Sequence, residues 1–232
     1  MIDLHGMTSP NVRKIFIALE ELGLQYRFHH VKVLLGEQFG PRFRALNPNS
    51  KVPVIVDHDG LDGEPVTVFE SGAILLYLAE KAGRFLPSTR GAHYEMLQWL
   101  MLQVANVGPM LGQLNHYVMY AAEGNDYSLR RYRNEALRLY ALLDERLADR
   151  RFLAGDYGLA DIATWPWLAY LERHGQSWAQ YPNLRRWHDA IALRPAVTRA
   201  LEAIARIEKD DAATMAEASP ATLDRFFNRT GP

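Results

Sequence analysis

The chain has 232 residues, 48% of them apolar, with 26 lysines and arginines against 27 aspartates and glutamates. That length suits one large domain or two small ones around a packed core. The near balance of charge leaves no basic surplus of the kind that tracks nucleic acid. No cysteine is present, which excludes disulfide scaffolds, thiolate metal sites and thiol chemistry carried by the protein itself; any sulfur must arrive with a ligand.

Residues 1–86 alternate strand and helix signals. Residues 2–4 start a short strand. Val12, Ile15, Phe16, Leu19 and Leu22 fall at helical spacing, and Gly23 ends that helix. Residues 26–33 read as a strand and 37–46 as a short helix closed by Asn47-Pro48. Residues 52–56 form a strand with proline second, 66–69 the next strand, and Ser71 caps a helix running to about residue 81. The order β-α-β-α-β-β-α gives a parallel first pair and a closing hairpin, a thioredoxin-like layout.

Residues 92–207 carry helical periodicity alone. A long segment from 91 to 122 is broken at Gly108-Pro109, where proline removes a ladder bond. Helices follow over 128–149, 158–174, 182–193 and 195–207, and the tail from 208 mixes charged and small residues. The expected domains are 1–86 (α/β, thioredoxin-like) and 92–210 (all helical), with a tail over 211–232. The eight histidines show no metal-ligand spacing, so no metal is expected. The first residues lack a secretory pattern and the longest apolar run, 73–79, is too short to span a bilayer. The expectation is a cytoplasmic protein with no membrane partner.

Three stretches suit chemistry. Thr8-Ser9-Pro10-Asn11 opens the first helix. Ser9 and Pro10 there satisfy simple capping, yet a helix N-terminus also favours a thiolate, to which the Asn11 amide can donate. Lys51-Val52-Pro53 opens the third strand. A trans proline is an ordinary strand start; a cis bond would leave the Val52 backbone free to pair with a peptide-like ligand. Glu70-Ser71 joins a strand to a helix. Ser71 at a helix start suits a carboxylate and Glu70 an ammonium, and an amino-acid head carries both.

Ser9-x-Asn11, Val52-Pro53 and Glu70-Ser71, at these separations, resemble the glutathione site of glutathione transferases. The resemblance extends over nearly the whole chain and includes residues 155–163. Residues 1–4, 49–58, 69–81 and 108–113 are similar to the bacterial nu class and the yeast nitrogen-regulator group. It implies glutathione lying extended along the first domain as cosubstrate. Glu70 and Ser71 would hold the γ-glutamyl head, Val52 (beside Lys51 and Pro53) the cysteinyl backbone, and Gln38 would reach the ligand. Asn11 and Ser9 would sit at the sulfur, and Arg131 would reach in from the helical domain. The family pattern usually has threonine at Ser9, and serine or threonine at the core-helix cap where this chain has Gly158. No tyrosine stands at the first helix to activate a thiol.

The resemblance favours a glutathione-dependent disulfide-bond oxidoreductase, with peroxidase chemistry as a side activity. The alternatives are a transferase conjugating glutathione to small electrophiles and a non-catalytic glutathione-binding regulator. The yeast relatives' Asn/Gln-rich extension is absent. A homodimer is implied. The second substrate, a small disulfide or electrophile, would meet Met101, Val104, Met110, His116 or Tyr120.

Overall fold

The computed structural model describes residues 1–121 and 123–229. The expected helix end at Ala122 and the last three tail positions, 230–232, lie outside the described residues. Two compact units emerge: Met1–Arg84 together with the chain from Pro195 onward, and Phe85–Arg194.

The first unit holds a four-stranded sheet of β1 (Ile2–Gly6), β2 (Tyr26–His30), β3 (Val54–Asp57) and β4 (Val66–Phe69), in the order β2-β1-β3-β4. β1 and β2 are parallel; β3 runs antiparallel to both β1 and β4. The helices are α1 (Pro10–Leu22), α2 (Pro41–Leu46) and α3 (Ser71–Ala82). Val12, Ile15, Phe16, Leu19 and Leu22 are all buried, as are Ile74, Leu75 and Leu78 of α3, and α1 packs against α3. Gly23 ends α1 in the left-handed conformation at φ 68°, which glycine adopts without steric cost.

Three elements are shorter than their periodicity suggests, and proline or burial explains each. β3 begins at Val54 because Pro53 has no N–H to give the ladder. The segment 37–46 splits into a 3₁₀ turn (Glu37–Phe39) and α2, because Gly40, preceding Pro41, is extended. β2 stops at His30, and Val31 and Val33 then turn into a small apolar cluster with Leu34, Phe43 and Val54.

The second unit contains α4 (Arg90–Leu102), α5 (Gly108–Met119), α6 (Asp126–Arg146), α7 (Leu159–Thr164) and α8 (Pro182–Ala192). The break expected at Gly108-Pro109 is taken up one turn earlier by a π turn, Gln103–Val107, whose closing bond runs from the Gly108 N–H to the Gln103 carbonyl. The helix expected over 158–174 gives way at Pro166 to a 3₁₀ segment, Trp165–Tyr170. Asp161 is fully buried: it accepts from the N–H groups of Leu153 (3.0 Å) and Gly158 (3.1 Å) and from Trp187 Nε1 (2.7 Å). With Asp161 closing the turn onto the backbone, the cap position needs no side chain, and Gly158 serves there.

The sequence reading ended the helical domain at residue 210. Instead α9 (Pro195–Glu217) and α10 (Pro220–Phe226) belong to the first unit. α9 packs along α1, with Arg13 bound to Glu208 at 2.6 Å and Arg199 to Glu20 at 2.8 Å. Leu223 and Phe226 of α10 cover the Val31–Phe43 cluster, and the Arg225 guanidinium lies 4.1 Å from the Phe39 ring centre. No helix among the described residues is long and apolar enough to cross a membrane.

Candidate functional site

The start of α1, the loop before β3 and the β4–α3 junction meet at one cleft in the first unit. A Cβ on Gly6 would lie 2.8 Å from the Val12 side chain, so glycine there lets α1 start close against the sheet. The cleft encloses about 190 Å³ and is lined by Asn11, Asn47, Asn49, Lys51, Val52, Pro53, Glu70 and Ser71. Six of these, all but Asn47 and Asn49, are residues the sequence pointed to.

Asn11 is in the first turn of α1 and half-buried. Its side-chain amide makes no hydrogen bond to the described residues, so both donors are free for a ligand. Ser9 occupies the N-cap position, extended at φ −70° and ψ 155°, with Pro10 following, but its hydroxyl makes no capping bond. The capping role expected of that hydroxyl is therefore not filled.

The Val52-Pro53 peptide is cis. The loop before it is tied by buried Asn47, whose Nδ2 donates to the Lys51 carbonyl (2.7 Å) while its Oδ1 accepts from the Asn49 N–H (2.9 Å). Val52 makes no backbone hydrogen bond within the described residues, which leaves its N–H and C=O available to an extended ligand. Asn47 looked from sequence like a helix terminator alone; its two bonds shape the ligand-facing loop.

At the β4–α3 junction the N-cap is Glu70, not Ser71. Glu70 has φ 70° and ψ 116°, with no side-chain cap bond. A non-glycine residue at positive φ carries backbone strain of the kind found at binding sites. The turn leaves the Glu70 carboxylate exposed at the cleft. Ser71, buried, opens α3, and its Oγ accepts from Lys14 Nζ at 3.2 Å. Lys14 comes from α1 and is itself 1% exposed; burial pushes its amine down to about 7, with Glu70 pulling the other way. Sequence reading missed this lysine, which hides among apolar neighbours in Val12–Ile17. Its one sequence signal is a charge on the buried face of an amphipathic helix.

The remaining expected residues fall outside the cleft's lining. Gln38 is buried in the Glu37–Phe39 turn, and its Oε1 has no hydrogen-bond partner among the described residues. Arg131 is exposed on α6 in the second unit. There it lines an open cavity of about 870 Å³ with Met110, Tyr127, Arg130 and Arg138. Of the expected second-substrate residues, Met110 lines that cavity; Met101, Val104, His116 and Tyr120 do not. No cluster of metal-ligating side chains occurs among the described residues.

The profile of the glutathione S-transferase N-terminal domain matches residues 8–81, and that of the glutathione S-transferase C-terminal domain matches 126–190. The chain is 46% identical over 203 residues to the Escherichia coli disulfide-bond oxidoreductase YfcG, covering 87% of this chain and 94% of that protein. A glutathione transferase from Pseudomonas putida, solved with one glutathione disulfide bound per subunit, superposes with a TM-score of 0.82 at 38% identity, covering 86% of this chain and 90% of that one. Ure2p in complex with glutathione superposes with a TM-score of 0.80 at 31% identity over 86% of this chain and 97% of that one.

Proposed function

The chain belongs to the glutathione transferase family, in its Ure2-like branch, and from that premise we propose that it is a glutathione-dependent disulfide-bond oxidoreductase. The observation that carries the reading is the Asn11 amide, unengaged at the first turn of α1 in a chain that has no cysteine. All the sulfur must come from substrates, and the cleft supplies a donor where a thiolate would rest. The relatives bearing a disulfide-bond oxidoreductase name and a bound glutathione disulfide support it.

In the proposed site, Glu70 takes the ammonium of the γ-glutamyl head, and Ser71 with the α3 N-terminus takes its carboxylate. Val52 pairs its backbone with the cysteinyl unit, flanked by Lys51 and Pro53. Gln38 and Arg131 are proposed to reach the ligand from outside this cleft, and Ser9 to share the sulfur with Asn11. The reaction has two exchanges. A glutathione thiolate attacks the disulfide RSSR, forming the mixed disulfide and releasing RS⁻, which takes a proton. A second glutathione thiolate attacks the mixed disulfide and releases the second RS⁻. The products are one glutathione disulfide and two RSH, the two electrons coming from the two glutathiones. Asn11 stabilises each thiolate as it attacks or leaves, and the protein aligns the sulfurs.

The reading places the protein in the reducing cytoplasm, acting as a homodimer. Tyr94 and Met101, seven residues apart on one face of α4 and 63% and 45% exposed, offer an apolar surface for a second copy. Sedimentation at micromolar concentration should give the dimer mass; a monomer would reject it. The functional test compares hydroxyethyl disulfide reduction with conjugation to a model electrophile. Reduction should dominate, and treatment with a thiol-alkylating reagent followed by dialysis should leave activity intact. Efficient conjugation with no reduction would replace this reading with the transferase one.

A further inference from the structure

Asn47, directly after α2, is 1% exposed. A buried side-chain amide is costly unless it is hydrogen-bonded, and here the chain turns back around it. The Asn47 N–H donates to the Phe43 carbonyl (2.9 Å), and its own carbonyl accepts from the Ser50 N–H (3.0 Å). Ser50 makes that turn in the left-handed region, at φ 55°. The side chain then bonds in two opposite senses: Oδ1 accepts from the Asn49 N–H (2.9 Å) and Nδ2 donates to the Lys51 carbonyl (2.7 Å). A donor on one side and an acceptor on the other leave the amide one way to face. The bond to Lys51 reaches past that residue. The Lys51–Val52 peptide is trans and planar, so its carbonyl and its N–H point in opposite directions. Holding the Lys51 carbonyl against Asn47 therefore directs the Val52 N–H away from Asn47. That N–H has no partner among the described residues, and Val52 lines the cleft.

We propose that Asn47 is a positioning residue for the ligand: by clamping the Lys51 carbonyl it aims the Val52 N–H at the carbonyl of the ligand's cysteinyl unit. The inference rests on reading the cleft as the glutathione site. Without the clamp the Lys51–Val52 peptide plane can rotate as a unit, since the Lys51 side chain is exposed and that of Val52 only half-buried. The donor would then have to be ordered by the ligand itself. With the clamp it is ordered beforehand, and the ordering cost no longer opposes binding. Asn47 touches none of the reacting sulfur in this scheme. Its effect is confined to the one ligand carbonyl that the Val52 N–H meets, and the γ-glutamyl head at Glu70 and Ser71 is held without it.

The probes are two ligands that share the γ-glutamyl head and a methylated sulfur. γ-Glutamyl-S-methylcysteinamide keeps the cysteinyl carbonyl; γ-glutamyl-S-methylcysteamine lacks it. Affinities are read by competition with S-methylglutathione. Wild type should bind the carbonyl-bearing ligand roughly three- to tenfold more tightly, the worth of one neutral hydrogen bond. Asn47→Ala should bind the two alike, with its affinity for the cysteamine ligand unchanged. A general loosening of the cleft would instead weaken both ligands together. Should Asn47→Ala not fold, Asn47→Leu fills the same space without a donor and should show the same selective loss. In wild type itself, the Val52 amide proton should shift in the NMR spectrum with the carbonyl-bearing ligand and not with the other. No preference in wild type, an unmoved Val52 amide, a preference retained in either variant, or an equal loss for both ligands overturns the role of Asn47 and leaves the glutathione reading standing. No binding of S-methylglutathione to wild type overturns both.

Discussion

Replacing Asn11 by alanine isolates the chemistry from the binding. The side chain lines the cleft and bonds to no described residue, so its removal leaves no buried donor or acceptor orphaned, and folding stability should change by less than about 0.5 kcal/mol. Glutathione affinity should also hold, because Glu70 and Ser71 are the residues proposed to grip the opposite end of the ligand. What the proposal would lose is a hydrogen bond to a charged sulfur, worth roughly 1.5–3 kcal/mol. Asn11 is half-buried, which favours the lower half of that range. A loss of about 1.5–2 kcal/mol in the transition state slows turnover about ten- to thirtyfold. The assay is reduction of hydroxyethyl disulfide by glutathione, coupled to reduction of the glutathione disulfide formed. The expected pattern is a fall in kcat with KM for glutathione nearly unchanged. Ser9→Ala should also slow turnover without the usual loss of helix stability, since its hydroxyl makes no capping bond to lose. Full activity in Asn11→Ala, or a raised KM with unchanged kcat, would refute the placement of the thiolate.

Three further expectations follow from other parts of the molecule. Glu70→Gly should weaken glutathione binding by removing the carboxylate, yet raise thermal stability by roughly 1 kcal/mol, because glycine accepts φ 70° without strain; equal affinity by calorimetry would reject Glu70 as the head-group partner. His174 is buried with Nδ1 2.7 Å from the Tyr140 hydroxyl, and burial, with Arg173 and Arg133 nearby, depresses it from 6.5 to about 4. Between those values the unfolded chain binds more protons than the folded one, so stability falls as pH drops through this window, by about 2–3 kcal/mol at pH 4; burial also depresses His5 and His188, so urea titrations should show a slope in both wild type and His174→Gln, steeper in wild type. Asp211 of α9 accepts from the Thr8 N–H (2.8 Å) and hydroxyl and pairs with His30 at 2.8 Å. Asp211→Ala should therefore cost about 1–3 kcal/mol and lower disulfide reductase activity through the Thr8–Asn11 turn; unchanged melting and turnover would dissociate α9 from the site.

Much of the candidate cleft was legible in the chain because its features are local. A helix start with Ser9-Pro10-Asn11, a strand opened by Pro53 and a strand-to-helix junction at Glu70-Ser71 each announce themselves within four residues, through capping, a missing N–H and the positive end of a helix. The same locality gave the order of elements along the first domain, since apolar alternation and helical spacing read out directly from neighbours; the sheet order β2-β1-β3-β4 came from the folded chain. Tertiary structure decided what depends on distant partners. Ser71 yielded the cap position to Glu70, whose positive φ is imposed by the junction between β4 and α3. Lys14 became part of the site because α1 packs on α3 and brings its amine to Ser71, fifty-seven positions along the chain. The tail, charged and without a strong apolar stripe, gave no sign of its place: its partners Thr8, Arg13, Val31 and Phe39 all lie in the first forty residues. A helix's periodicity says which face is buried, but the surface it is buried against is set by packing that only the folded chain contains.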